Sequence, residues 1–293
     1  MSAESLMPRD AATVMLVRNA AQGFEVCMLR RNLNSDFVGG AYVFPGGAVD
    51  PGDRLDALAE ICTGRSDQDA SQQLGVEAGG LAFWVAAVRE CFEEAGVLLA
   101  IDETGTVVSF ADADTEARFV VHRRAVDGGE LDLVDLCRTE RLLLDVRRIH
   151  YFSHWITPVG PSRRYDTRFF VAAAPPEQVP LHDDRETIAT IWVSPSDALD
   201  RHQRGELELI FPTIRNLEAI ARFDTAEELL AAAAAIENVP AILPRIVNDR
   251  HGVRILLPGD PGYDDIVDGR LPEGLLPDGS LAGHAVDGRE IAR

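Results

Sequence analysis

The 293-residue sequence contains no lysine, so all 28 of its basic residues are arginines. Arginine codons are richer in G and C than lysine codons, and this bias indicates a GC-rich, bacterial source. Positive charge is scarce overall, because 48 acidic residues give a formal net charge of −20. Such a charge repels a phosphate backbone and excludes general nucleic-acid binding. A small anionic substrate would therefore need the help of metal ions.

Cysteines and long apolar runs are also few. The four cysteines show no C-x-x-C spacing, which argues against a zinc site or a disulfide framework: Cys27, Cys62, Cys91 and Cys137. No stretch approaches the roughly 18 apolar residues of a membrane span, and the first residues lack the basic-then-apolar pattern of a signal peptide. We therefore expect a cytoplasmic protein with no membrane partner.

What is present is enough apolar sequence, 46% of residues, for one large core and an extension. Two β-prone runs at 11–17 and 24–29, with a turn-forming segment between them, predict a hairpin. The other predicted elements are strands at 165–173 and 188–193, one or two short helices within 54–80, a helix at 81–95 and mainly helical structure from Leu207 onward.

The helix predicted at 81–95 carries the residues of greatest chemical interest. On a helical wheel one side is an apolar stripe suited to packing against a sheet: Leu81, Val85, Val88, Phe92 and Ala95. The opposite side gathers Glu90, Glu93 and Glu94 within about one turn. Three like charges this close are disfavoured unless cations bind them, and all-oxygen ligation suits Mg²⁺ or Mn²⁺. Taken alone, E-x-x-E-E also fits a solvated helix face, and that alternative stays open.

The neighbours of these glutamates favour the metal site. Arg89 can pair with Glu93 at i+4. Upstream, the segment FPGG at 44–47 is followed by Asp50 and Asp53. Glycine allows a backbone carbonyl to approach an ion closely, and the two aspartates offer further oxygen ligands.

Together these residues resemble the Nudix hydrolase signature, G-x5-E-x7-R-E-U-x-E-E-x-G-U, in which U is a bulky apolar residue. Residues 89–97 (RECFEEAGV) fill the second half at every defined position. In the first half, Gly47 is followed after five residues by Asp53, where the family usually has Glu. Residues 54–88 then number 35 instead of seven, an insertion of 28. Because loop-closure entropy grows slowly with length, we expect both ends of the signature to keep their places.

The resemblance implies an α/β fold, the Nudix α/β/α sandwich with a mixed sheet. We expect a Nudix domain at 8–205 with a helical insertion at about 54–80, and a mainly helical C-terminal extension and tail at 206–293. The implied activity is metal-dependent hydrolysis of the diphosphate linkage of a nucleoside-diphosphate derivative, by attack of water on phosphorus with Mg²⁺ or Mn²⁺. The C-terminal region is also compatible with a homodimer.

The resemblance also implies roles for individual residues. The implied metal ligands are Glu90, Glu93 and Glu94, joined by the carbonyl of Gly46 or Gly47. Arg89 would orient Glu93 through a salt bridge. A general base would come from outside the signature, and Glu186 is the candidate because it lies just before a predicted strand. Asp183 and Asp184 compete for this role, and Glu186 as a loop acid in solvent is an equal alternative.

The substrate class is indicated by residues 29–44, which partly resemble a segment of the coenzyme A-cleaving Nudix enzymes. Arg31 and Gly40 are in register with that segment, whereas Asp36 replaces its second arginine. We therefore expect Arg31 to bind substrate, and coenzyme A or an acyl derivative to be preferred over ADP-ribose, NADH or a dinucleoside polyphosphate. A nucleotide sensor without turnover is a second hypothesis, although the intact glutamates argue against it.

A further arginine-rich segment, 154–172, offers two interpretations. Arg164 and Arg168 lie among aromatic residues and could bind substrate by pairing with phosphate while a ring stacks on adenine. Equally, the alternation of Phe169 and Val171 predicts a core strand with arginines at its rim.

Overall fold

The computed structural model describes residues 7–34, 39–249 and 252–264; Asp36 and the tail beyond residue 264 lie outside these ranges. The strands are β1 (Arg9–Asn19), β2 (Phe24–Arg31), β3 (Tyr42–Val43), β4 (Gly46–Ala48), β5 (Ala100–Asp102), β6 (Leu142–Leu144), β7 (Ile149–Ile156), β8 (Tyr165–Ala173), β9 (Thr187–Val193), β10 (Ala241–Ile242), β11 (Arg245–Asp249) and β12 (Gly252–Leu256). The α-helices are α1 (Leu58–Ile61), α2 (Asp67–Leu74), α3 (Leu81–Ala95), α4 (Ala113–Asp127), α5 (Leu133–Glu140), α6 (Pro195–Gln203), α7 (Phe211–Ile220) and α8 (Ala226–Ala234).

Among the described residues, eight strands form one mixed sheet. Its main path is β10-β7-β8-β1-β2-β3, while β4 pairs with β1 and β9 pairs with β2. β1 runs parallel to β8 and antiparallel to β2 and β4, so it lies in the interior of the sheet. The predicted hairpin is confirmed by the pairing of β1 with β2, and the two later predicted strands are β8 and β9.

Alternation along β1 divides the core into two layers. Val14 and Leu16 pack in the cluster that contains the apolar face of α3. Met15 and Val17 point to the opposite face and pack in a second cluster with α7 and α8. The sheet therefore lies between two helical layers, and the predicted α/β/α sandwich is confirmed.

α3 spans the range that the periodicity predicts. All five residues of its predicted apolar stripe are buried. Gly96 ends the helix in the left-handed conformation, with φ of 69°, which glycine adopts without strain. Because α3 packs on β1 and β4, its last turn brings the glutamates next to the glycine pair of β4.

The segment between the two halves of the signature forms α1 and α2, which confirms a helical insertion. Gly80, at the N-cap of α3, has no side chain to cap the helix. The Asp67 carboxylate accepts hydrogen bonds from the amides of Gly79, at 3.0 Å, and Leu81, at 2.9 Å. The Ser71 hydroxyl accepts one from the Gly80 amide at 2.9 Å. The insertion therefore caps the start of the helix that carries the glutamates.

The C-terminal region contains strands as well as the predicted helices. α7 and α8 bury Leu217, Ile220 and Leu229 in the same cluster as β1. β10 pairs parallel with β7 at the edge of the main sheet, and β11 forms a hairpin with β12. The sequence did not predict these short strands, because two to five residues carry too little periodicity. The domain boundary at 205/206 stays a proposal.

Candidate active site

Arg89 holds the two halves of the signature together. Its Nε and Nη2 donate to the two carboxylate oxygens of Asp53 at 2.9 and 2.8 Å. Its Nη1 donates to Glu93 at 2.8 Å and to Glu90 at 3.0 Å, while Nη2 also donates to the carbonyl of Ala48 at 2.8 Å. The i+4 pair expected between Arg89 and Glu93 is therefore present in the structure.

Asp53, just before the long insertion, pairs with Arg89 beyond it. It is 3% exposed, and its bidentate pair with Arg89 joins residues that are 36 positions apart. Asp50 lies 3.8 Å from the same guanidinium, and its side chain is 53% exposed. The shorter Asp53 thus occupies the position where the family usually has Glu, and the expectation that both ends of the signature keep their places is confirmed.

The glycine pair lets β4 approach the last turn of α3. The amide of Gly46 donates to the Glu94 carboxylate at 2.9 Å. A Cβ on Gly47 would lie 2.5 Å from Oε1 of Glu90, and one on Gly46 would lie 2.5 Å from the carbonyl oxygen of Ala12. Both distances are below van der Waals contact. At Gly46 the obstacle is backbone that cannot move aside, whereas at Gly47 the Glu90 carboxylate would have to shift.

Burial makes the three glutamates difficult to ionise together. It raises the pKa of Glu94 to about 8, against the hydrogen bond from Gly46 and the charge of Arg31. It raises the pKa of Glu93 to about 7, against the stabilising charge of Arg89. The pKa of Glu90 is also well above its usual range, first because of burial and then because of repulsion from Glu94. A bound cation would relieve both effects.

The donor chemistry fits divalent ions, whereas the ligand geometry is not preformed. Three carboxylates on the last two turns of α3 are an all-oxygen set of the kind that Mg²⁺ and Mn²⁺ prefer. In the described parts of the chain, no three His, Cys, Asp or Glu side chains stand in a ready-made metal-binding group. Glu90 and Glu93 turn toward Arg89, and Glu94 toward the Gly46 amide. Ion binding therefore requires these side chains to exchange internal donors for the cation.

The 182–187 loop and the end of β2 lie next to Glu94. Asn32, just after β2, donates from its amide to the carbonyl of Glu186 at 2.8 Å and from its side chain to that of Arg185 at 2.9 Å. Arg31 stabilises the charge of Glu94, and its buried Nε has no hydrogen-bond partner within the described residues. The structure thus brings Arg31 and Glu186 to the predicted carboxylate cluster.

The three candidate bases in this loop differ in how they are held. Asp183 accepts hydrogen bonds from the amides of Glu186, at 3.1 Å, and Thr187, at 2.8 Å. Burial opposes ionisation of Asp183, but these hydrogen bonds outweigh it and lower its pKa. Asp184 faces His182 at 3.1 Å. The exposed Glu186 has no hydrogen bond or ion pair from its carboxylate to any described residue, and its charge raises the pKa of Glu94.

The comparison with protein families decides the identity of the fold. A family model described as the NUDT19 Nudix domain matches residues 62–220, more than half of the chain. The chain belongs to this Nudix hydrolase family. The match begins inside the insertion, so the Nudix residues Gly46, Gly47 and Asp53 precede it and are placed by the structure.

Individual relatives agree with this membership. Proteins named acyl-coenzyme A diphosphatase NUDT19 from Gallus gallus and Homo sapiens are each 29% identical to this chain. The alignments cover 93% of this chain and 87% of the chicken protein, and 83% of this chain and 73% of the human protein. A crystal structure of a Nudix hydrolase from Alicyclobacillus acidocaldarius has a TM-score of 0.63 and 28% identity, and covers 80% of this chain and 98% of its own.

Two other predicted substrate-binding residues, Arg164 and Arg168, are engaged by contacts within the fold. Arg168 is buried in β8, where it pairs with Asp166 at 2.6 Å and lies over the ring of Phe83, 4.6 Å from its centroid. Arg164, also buried, donates to the carbonyls of Thr157 and Pro158. These contacts favour the alternative of a core strand with structural arginines over the substrate-binding interpretation.

Sequence reasoning missed Arg123, which α4 brings to the last turn of α3. Its Nε donates to the carbonyl of Glu93 at 2.9 Å. α4 escaped prediction because it is mostly polar, with only Phe119 and Val126 buried. A capping signal was available, since Asp112 accepts from the amide of Thr115 at the start of the helix.

A separate cavity of about 270 Å³ lies among residues of the second core cluster, between β7 and α7. It shares no residue with the carboxylate site. Among the described residues, no helix is long and apolar enough to span a bilayer.

Proposed function

We propose that the protein hydrolyses the diphosphate linkage of coenzyme A or an acyl derivative, with Mg²⁺ or Mn²⁺ as cofactor. The reaction is supported above all by the packing of the buried Glu94 and the half-buried Glu90 against the glycine pair of β4, with Glu93 held beside them by Arg89. The substrate class is supported by the names of the frog, chicken and human relatives, which are 25–29% identical over most of this chain. Arg31, in register with a segment of coenzyme A-cleaving relatives, lies close enough to stabilise Glu94.

In this mechanism the oxygen of water attacks one phosphorus, and the bridging oxygen leaves with the other phosphate. Divalent ions held by the three glutamates and the carbonyl of Gly46 or Gly47 would supply charge neutralisation and a lowered water pKa. The free carboxylate of Glu186 accepts the proton of the attacking water. Arg89 keeps Glu93 in place through their hydrogen bond and ties it to the buried Asp53.

A substrate panel tests this proposal. The purified protein is incubated with Mg²⁺ or Mn²⁺ and coenzyme A, acetyl-coenzyme A, ADP-ribose, NADH or diadenosine tetraphosphate, and the products are separated by chromatography. We expect coenzyme A and its acyl derivative to be cleaved fastest, giving adenosine 3′,5′-bisphosphate as the common product. Preferential cleavage of another compound would keep the reaction type and overturn the substrate assignment.

Two variants test the role of the carboxylates in turnover. Glu93→Gln and Glu94→Gln each keep the shape of the side chain and remove the charge, so we expect turnover to fall about 100-fold or more. Glu103→Gln is the matched control, because this exposed loop glutamate lies outside the site and should leave the rate unchanged. Wild-type rates in both site variants would contradict the proposed mechanism. Saturable binding of a panel compound by the wild type, with no product under any metal condition, would identify a sensor instead.

Two further assignments belong to the same proposal. A cytoplasmic location is supported by the four cysteines, all of them unpaired in the structure. A homodimer is the proposed assembly, and sedimentation equilibrium of the full chain would measure its mass directly.

A further inference from the structure

Helix α4 packs one face against α3, the helix that carries the glutamates. Phe119 stacks on Phe110, with ring centroids 4.6 Å apart, and meets Phe92 of α3 edge-on at 6.4 Å. Val126 is also buried. Arg123 follows Phe119 by four residues, so it lies on the same face one turn further along. The aromatic anchor thus fixes the point from which Arg123 reaches the end of α3.

The Arg123 guanidinium does not use all of its hydrogen-bond donors at this position. Its Nε donates to the carbonyl of Glu93, whereas its buried Nη2 has no acceptor among the described residues. The nearby acids are engaged elsewhere: Asp183 by amides of its own loop and Asp127 by Arg185. A buried N–H without an acceptor costs roughly 1–3 kcal/mol, so this donor is available to an acceptor from outside the protein, such as a ligand or a water.

A second arginine near Glu94, Arg31, also has a buried N–H without an acceptor among the described residues. Arg31 and Arg123 both act electrostatically on Glu94, and each keeps a buried N–H without an acceptor. The protein as a whole carries a charge of −20, so an anionic substrate needs local cations to approach. Guanidinium groups suit this task because their planar donors match the oxygens of a phosphate.

Building on the proposed function, we propose that Arg123 is a substrate-binding residue, whose Nη groups donate to phosphate oxygens of the diphosphate beside Glu94. The ligand class is a nucleoside diphosphate moiety, held between Arg123 on α4 and Arg31 at the end of β2. The alternative is a purely structural role, in which Arg123 only caps the C-terminal carbonyls of α3 through its Nε.

Binding of ADP separates the two roles without requiring turnover. ADP carries the diphosphate but lacks the second organic group, and its Kd is measured by calorimetry with saturating Mg²⁺. Arg123→Gln should raise this Kd at least tenfold, as expected for the loss of a charge-assisted hydrogen bond. Arg124→Gln is the matched control, because it removes the same charge from the next, exposed residue of α4 and should leave the Kd unchanged.

Steady-state kinetics and a second variant make the outcome decisive. With coenzyme A, Arg123→Gln should raise KM by a similar factor and change kcat less. Arg123→Lys keeps the charge without the planar donors and should give an intermediate Kd, which also serves if the glutamine variant does not fold. An unchanged Kd for ADP in folded Arg123 variants, with a lower melting temperature only, would show a capping role and overturn the proposal. If the wild type binds ADP but does not cleave coenzyme A, the proposed substrate is wrong. The binding role of Arg123 is then still tested by the ADP Kd of its variants.

Discussion

Gly47 leaves the space that the Glu90 carboxylate occupies. A methyl group there would lie 2.5 Å from Oε1 and 2.7 Å from Cδ of Glu90. The carboxylate would have to move away from β4, where the proposed ligand carbonyl lies. Replacing Gly47 by alanine therefore tests whether Glu90 must lie this close to β4.

We therefore predict that Gly47→Ala raises the Mn²⁺ concentration for half-maximal activity by about tenfold, as displacement of a supporting group commonly does. Gly52→Ala is the matched control in the same loop, because nothing lies within 4 Å of the added methyl group. The measurement is the rate of product formation across a Mn²⁺ titration. Identical curves for the two variants would contradict a metal site at Glu90.

Asp53 provides the second test at the residue scale. Its buried carboxylate makes two hydrogen bonds to Arg89, whose side chain is 14% exposed. Asp53→Asn removes the charge from two hydrogen bonds to Arg89, which keeps Glu90 and Glu93 as ionic partners. We predict that Asp53→Asn lowers the free energy of unfolding by about 2 kcal/mol, measured by urea denaturation. The exposed Asp50→Asn is the control, and equal losses in both variants would mean that the pair with Arg89 contributes little.

At the scale of elements, the insertion and α3 depend on each other. Asp67 of the insertion accepts two amide hydrogen bonds at the start of α3, where Gly80 offers no side chain. We predict that Asp67→Ala lowers the free energy of unfolding by about 1 kcal/mol, the usual contribution of a helix cap. Chemical denaturation would measure it.

The control for this prediction is Glu77→Ala, which removes one negative charge from an exposed position of the same insertion. If both variants unfold at the same denaturant concentration as the wild type, the insertion does not cap α3. Metal affinity should change little in either variant, because the cap and the glutamates lie at opposite ends of the helix.

The elements also show how far the sequence could predict the structure. α3 was predicted over its observed range because its apolar stripe is continuous and glycines stand at both ends. The same helical spacing predicted that Glu90, Glu93 and Glu94 cluster on one side of α3 and that Arg89 pairs with Glu93. α4 was missed because two buried residues in fifteen carry little periodicity, and Arg123 was missed with it. For Arg164 and Arg168 the sequence left two interpretations open, because it shows which residues are cationic but not that they are buried beside Asp166 and backbone carbonyls.

At the scale of the whole molecule, the sheet separates the site from the C-terminal extension. α3, which carries the glutamates and Arg89, packs on one face of β1, whereas α7 and α8 cover the other face. The extension therefore supports the strand beneath the site without contributing the acids. The net charge of −20 favours binding of cations, and the arginines next to Glu94 provide the local positive charge that an anionic substrate needs.

Anomalous diffraction from a crystal soaked in Mn²⁺ tests most directly whether the three glutamates gather cations. We predict at least one anomalous peak within ligand distance of the Glu90, Glu93 and Glu94 carboxylates and of the carbonyl of Gly46 or Gly47. The carboxylates should have turned from Arg89 and the Gly46 amide toward the metal. A map without a peak at saturating Mn²⁺, with Glu90 and Glu93 still bound to Arg89, would contradict the proposed metal site and the hydrolysis that depends on it.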